Sequence, residues 1–110
     1  MKVVVQARHM DVTDALREHV ASKIEKLPRF LKTLLSVDVI LGMEAGESVV
    51  EVVATARKKN TFVATSRHPD MYTCIDQCLH KVGEQVRRHK DKVRDHQKSP
   101  RSAGLGEPPA

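Results

Sequence analysis

The chemistry in this chain is concentrated near its end. Residues 81–98 carry seven Lys and Arg against three acids. If residues 70–96 form a helix, Lys81, Arg88 and Lys92 recur at i, i+7 and i+11 on one flank, while Arg87, Lys90 and Arg94 occupy the other. Rows of fixed cations on a docked helix are a means of holding a polyanion such as nucleic acid. A second cationic set, His19, Lys23 and Lys26, flanks another apolar stripe, with Asp14, Glu18 and Glu25 turned away from it. If the two helices lie side by side, Lys23 and Lys26 join one of the later rows in a continuous basic groove. Ordinary solvated helix faces are the simpler reading of either set alone. Two such sets together exceed what solubility requires.

Other residue combinations promise less. His80 and Glu84 stand four apart on the same helix and could share a metal, but two ligands do not make a site. Cys74 and Cys78, the only cysteines, are also four apart. That spacing leaves their side-chain carbons about 5–6 Å apart, too far for an unstrained disulfide, so a reduced pair is expected. Cys78 and His89 fall on the core-facing side and read as packed residues. The chain has no Gly-rich phosphate loop, no Gly-x-Ser-x-Gly elbow, no His-Glu-x-x-His motif and no Cys-x-x-Cys pair, so neither an enzyme nor a cofactor is expected.

The elements that must position these side chains follow from periodicity. Residues 2–7, Lys-Val-Val-Val-Gln-Ala, read as a first strand. Thr13 is the expected N-cap of a helix running to about Leu27 and stopped by Pro28, with Leu16, Val20, Ile24 and Leu27 facing the core. Residues 34–43, 49–57 and 61–67 read as strands joined by hairpin turns at 44–47 and 58–60. Asp70 is the expected N-cap of the last helix, whose stripe is Met71, Ile75, Leu79, Val82, Val86 and Val93. This order predicts an α+β fold, a β-α-β-β-β-α two-layer sandwich with a four-stranded sheet and both helices on one face. The first strand is free to take either edge. Residues 1–96 form one domain in this reading, and the Pro/Gly/Ser-rich residues 97–110 a disordered C-terminal tail.

Composition narrows the partner. The 110 residues carry 19 Lys+Arg against 14 Asp+Glu, a net charge of +5, which favours a phosphate-rich ligand. No run approaches the ~20 apolar residues of a membrane span and no signal-peptide pattern opens the chain, so a cytoplasmic protein without a membrane partner is expected. Aromatic residues are few, Phe30, Phe62 and Tyr72 only, so the stacking platform of single-strand readers is largely missing. Backbone and shape recognition of structured RNA fits better.

The ordered set Thr13-Asp14-Ala15-Leu16-Arg17-Glu18, Lys23-x-x-Lys26-Leu27, Asp70-Met71-Tyr72 with Ile75-Asp76, and His89-Lys90-Asp91-Lys92 resembles the ribosome hibernation-promoting factor family. That family includes the ribosome-associated inhibitor and was formerly labelled sigma-54 modulation protein. The resemblance covers residues 1 to about 96 and implies a fold similar to double-stranded-RNA-binding domains. It further implies binding to small-subunit ribosomal RNA in the channel for messenger and transfer RNA, silencing idle ribosomes in stress or stationary phase. Family basic positions carry over to Lys23, Lys26, Lys81, Arg88, Lys90 and Lys92. Arg87 and Arg94 join them from charge pattern, and Arg29 from its place beside the first helix. Glu84 stands where relatives often carry arginine, which weakens the expected contact there. The short tail marks a short form, expected to be monomeric off the ribosome and open to cooperation with a separate ribosome modulation factor. The alternative, suggested by the older label, is a protein-binding modulator of a transcription (sigma) factor.

Overall fold

The computed structural model describes residues 1–98, with side chains described through Lys90 apart from Phe30 and Lys59. Four strands and two helices follow the expected order: β1 (Lys2–Arg8), α1 (Asp14–Glu25), β2 (Ser36–Glu44), β3 (Glu47–Thr55), β4 (Thr61–His68) and α2 (Met71–Lys98). The expected tail from residue 99 onward lies outside the described residues. Helix α2 itself continues two residues beyond the expected His96.

The four strands form one sheet in the order β1-β2-β3-β4. β1 runs parallel to β2, with Val3 opposite Val37 and Val5 opposite Val39. The other two pairings are antiparallel. A parallel neighbour requires a long crossover, and α1 supplies it. The β2–β3 hairpin turns at Ala45 and Gly46, whose φ angles are 50° and 80°. Positive φ at both central residues matches the right-handed strand twist, which explains the tight connection. The segment expected as strand to residue 57 stops instead at Thr55. Arg57–Lys59 curls into a short 3-10 turn in which Lys58 takes a φ of 63°.

Both helices start where local hydrogen bonding dictates. The Thr13 hydroxyl accepts from Leu16 N–H at 3.1 Å, satisfying one of the amides left unpaired in the first turn of α1. The Asp70 carboxylate accepts from both the Thr73 amide at 2.9 Å and the Thr73 hydroxyl at 2.7 Å. Those two bonds hold the Asp70 carboxyl below its usual range. α1 closes at Glu25, two residues before the expected end. Pro28 then leads into a 3-10 helix, Arg29–Thr33, within the stretch expected to be plain connector.

One core lies between the helices and one sheet face. Leu16, Val20 and Ile24 from α1 meet Val37, Val39, Leu41, Val50, Val52 and Ala54 from the central strands, and Cys74, Ile75, Cys78, Leu79, Val82 and Val86 from α2. Strand side chains alternate between this face and the other, so every second residue of β3 is buried. Leu31 and Leu34 close the core from the connector, while Leu27 is only half-buried.

Candidate nucleic-acid interface

The two sheet faces differ electrostatically. On the face away from the helices, Arg67 lies 2.8 Å from Glu44 and 3.8 Å from Glu47, and Arg8 lies 3.9 Å from Glu51. Mixed, mutually paired charges give no cationic field there. Among the described side chains, the cations singled out from the sequence are on the helix side or beside it.

α2 docks on β3 and β4 through its buried stripe, and that fixes which flank faces α1. Asp76 points to α1, with Oδ1 2.8 Å from His19 Nε2 and Oδ2 3.7 Å from Lys23 Nζ. A carboxylate is only an acceptor, so the imidazole donates through Nε2. The His19 ring also stands edge-on to Tyr72, with centroids 4.9 Å apart. Seven residues past Asp76, Gly83 meets the connector. A side-chain carbon at Gly83 would come within 3.2 Å of Leu31 Cδ1, so the connector packs closely on α2 at this point.

Helical spacing then sorts the expected site residues into two groups. Arg87 and Lys90 follow Asp76 and Gly83 on the flank toward α1, and they face the same side as Lys23 and Lys26. Arg29, exposed at the start of the 3-10 helix, lies beside this group through the Leu31–Gly83 contact. Lys81 belongs to the opposite flank. Its ammonium donates to the Thr65 carbonyl at 2.8 Å, and Gln85 donates to the Val63 carbonyl at 2.9 Å, so both reach over the outer edge of β4. Arg88, seven residues on from Lys81, shares that flank and is exposed. The side chains of Lys92 and Arg94 lie outside the described residues. One row therefore faces the α1 cations, and the other runs along the far edge of the sheet.

Acidic residues interrupt the basic surface at two points. Asp76 sits between the two helices, against His19 and Lys23. Glu84 lies 2.7 Å from Arg87, and that guanidinium keeps the Glu84 carboxyl below its ordinary range. His80 and Glu84 gain no third ligand, and no group of three metal-binding side chains exists among the described residues. His89 packs edge-on against Phe62 at 5.4 Å, as a core-side residue would.

Both cysteines are free and buried over the β3–β4 pair. Cys74 donates to the Ser48 and Ser66 carbonyls and Cys78 to those of Val50 and Ala64, at 3.2–3.5 Å. Burial raises the thiol pKa of both, that of Cys78 to about 11. Such thiols are inert rather than nucleophilic. No helix among the described residues is long and apolar enough to cross a membrane.

Sequence periodicity found the cations but missed His19, Tyr72, Asp76 and Gly83 as the residues that set the cleft. The available signals were that His19 shares a flank with Lys23, that Tyr72, Asp76 and Gly83 occupy one flank of α2, and that Tyr72 and Asp76 belong to the residues carrying the family resemblance.

The chain is similar to known proteins. The chain is 35% identical over 103 residues to the ribosome hibernation promoting factor of Azotobacter vinelandii, covering 94% of this chain and 95% of that protein. It is 29% identical over 96 residues to the Salmonella typhimurium protein of the same name, covering 87% of this chain and 100% of the relative. Among solved structures, a ribosomal subunit interface protein from Coxiella burnetii shares the fold. Its TM-score is 0.78 at 21% identity, over 83% of this chain and 99% of that one. The N-terminal domain of Thermus thermophilus Protein Y gives a TM-score of 0.71 at 26% identity, over 81% and 99%. The model of the family described as Sigma 54 modulation protein / S30EA ribosomal protein matches residues 3–94, and the chain belongs to that family.

Proposed function

We propose that this protein is a ribosome hibernation factor that binds small-subunit ribosomal RNA in the channel for messenger and transfer RNA and silences idle ribosomes. The supporting observation is the shared side of the two helices: Lys23 meets α2 at Asp76, and Arg87 and Lys90 continue that flank of α2 beyond it. Cations on two rigid helices meet a phosphate backbone without reading bases, which suits folded RNA. Arg29 extends this surface from the connector. Lys81, Arg88 and Lys92 form a second contact on the other flank of α2, and Arg94 continues the row of Arg87 and Lys90 by helical spacing. No bond is made or broken, and no cofactor takes part. The relatives carry the name ribosome hibernation promoting factor, which agrees with this reading. The protein acts as a monomer off the ribosome, with room for a separate modulation factor on it.

Sedimentation through a sucrose gradient tests the proposal. At low salt the protein should travel with the small subunit, and reversing the charge of Lys23, Lys26, Arg88 and Lys92 should return it to the top fractions while circular dichroism stays unchanged. Removing residues 97–110 should leave association intact. A wild-type chain that remains with free protein at low salt, or that pairs with a transcription factor instead, would overturn it.

A further inference from the structure

We propose that Asp76 is a positioning residue for RNA binding, holding Lys23 aimed into the cleft between the helices; the inference rests on the functional reading above. A carboxylate inside a cationic surface ordinarily weakens anion binding, so its presence there calls for an explanation from geometry. Asp76 uses its two oxygens differently. Oδ1 takes the short bond from His19, at 2.8 Å, and His19 is itself braced edge-on by Tyr72. The imidazole thus fixes the rotation of the carboxylate, which leaves Oδ2 facing Lys23.

The Lys23 ammonium stands 3.7 Å from Oδ2, beyond the usual hydrogen-bond range of about 2.7–3.2 Å. At that separation the carboxylate steers the ammonium without consuming its donors. All three N–H groups of Lys23 can still reach phosphate oxygens. Lysine has much rotamer freedom to lose when it binds, and a stem already directed into the cleft loses less of it at the moment of contact. Asp76 and Lys23 are each 40% exposed in their side chains, so the pair is open to an incoming phosphate. The order of support is Tyr72 to His19, His19 to Asp76, and Asp76 to Lys23.

Simple charge counting and positioning predict opposite signs, which makes the idea testable. Affinities of the wild type, D76A, D76N, K23A and the K23A/D76A double variant for purified small ribosomal subunits would be measured at one fixed salt and magnesium concentration. Positioning predicts that D76A binds about three- to tenfold more weakly although its net charge has become more positive, a coupling of ordinary size for contacting residues. The double variant should then be no weaker than K23A, because Asp76 acts through Lys23. D76N keeps an acceptor for His19 but little pull on the ammonium, and should fall with D76A; being isosteric, it carries the test should D76A fail to fold by circular dichroism. Binding of D76A and D76N equal to or tighter than wild type would overturn the proposal, as would losses from D76A and K23A that multiply in the double variant. A wild type that fails to bind subunits at all would instead overturn the functional reading, and this inference with it.

Discussion

Salt titration gives the sharpest measure of how the helix side meets RNA. On the proposed reading, Lys23, Lys26, Arg87 and Lys90 each neutralise one phosphate from the helix side. These four alone give a slope of about −3.6 in log affinity against log salt, and the second row steepens it, so raising monovalent salt from about 50 to about 200 mM should weaken association at least about 150-fold. Replacing Lys26 with Gln removes one such contact. The slope should then flatten by about 0.9, and the same salt step should cost about 3.5-fold less than in the wild type. The measurement is a titration of fluorescently labelled protein with purified small subunits at constant magnesium, repeated across salt concentrations for both forms. A wild-type slope shallower than about −1, or an unchanged slope in the Lys26 variant, would refute the reasoning, because a surface that binds through apolar or neutral contacts releases few counterions.

Two further outcomes concern the scaffold. Thr13→Ala removes the hydroxyl that accepts from Leu16 N–H, and should lower stability by about 1 kcal/mol, a shift of about 4–8 °C in the thermal midpoint. Stability should also fall in alkaline solution: the native Cys78 thiol ionises at about 11 against an ordinary 9.0, so the folded state holds its proton more tightly than the unfolded chain does. That contribution is whole below pH 9.0 and is lost as pH climbs toward 11. Urea denaturation midpoints measured from pH 7 upward should show a smaller alkaline decline in Cys78→Ala than in the wild type.

Much of the scaffold was legible along the chain because its determinants are local. Thr13 and Asp70 mark helix starts through bonds to amides three residues on, and Glu44-Ala45-Gly46-Glu47 makes a turn through its own backbone angles. The stripes Leu16/Val20/Ile24 and Ile75/Leu79/Val82/Val86 are buried as their spacing requires. Where the chain bends against its neighbours the reading was less complete. The 3-10 helix Arg29–Thr33 depends on Leu31 and Leu34 reaching a core built by other elements. The strand end at Thr55 depends on the turn into β4.

The candidate site divides in the same way. The cation rows at residues 81–94 and 23–26 are properties of the sequence, since any helix through those residues spaces them so. Which row faces the other helix is not. Rotation of α2 about its own axis is set by Ile75, Leu79, Val82 and Val86 seating on β3 and β4, and by the close approach of Leu31 to Gly83. That rotation brings Asp76 to His19 and Lys23, residues 57 and 53 positions away along the chain, and carries Lys81 to the carbonyl of Thr65 on the opposite flank. Periodicity fixes angles within one helix; only packing fixes the angle between two, and on that second angle the cleft depends.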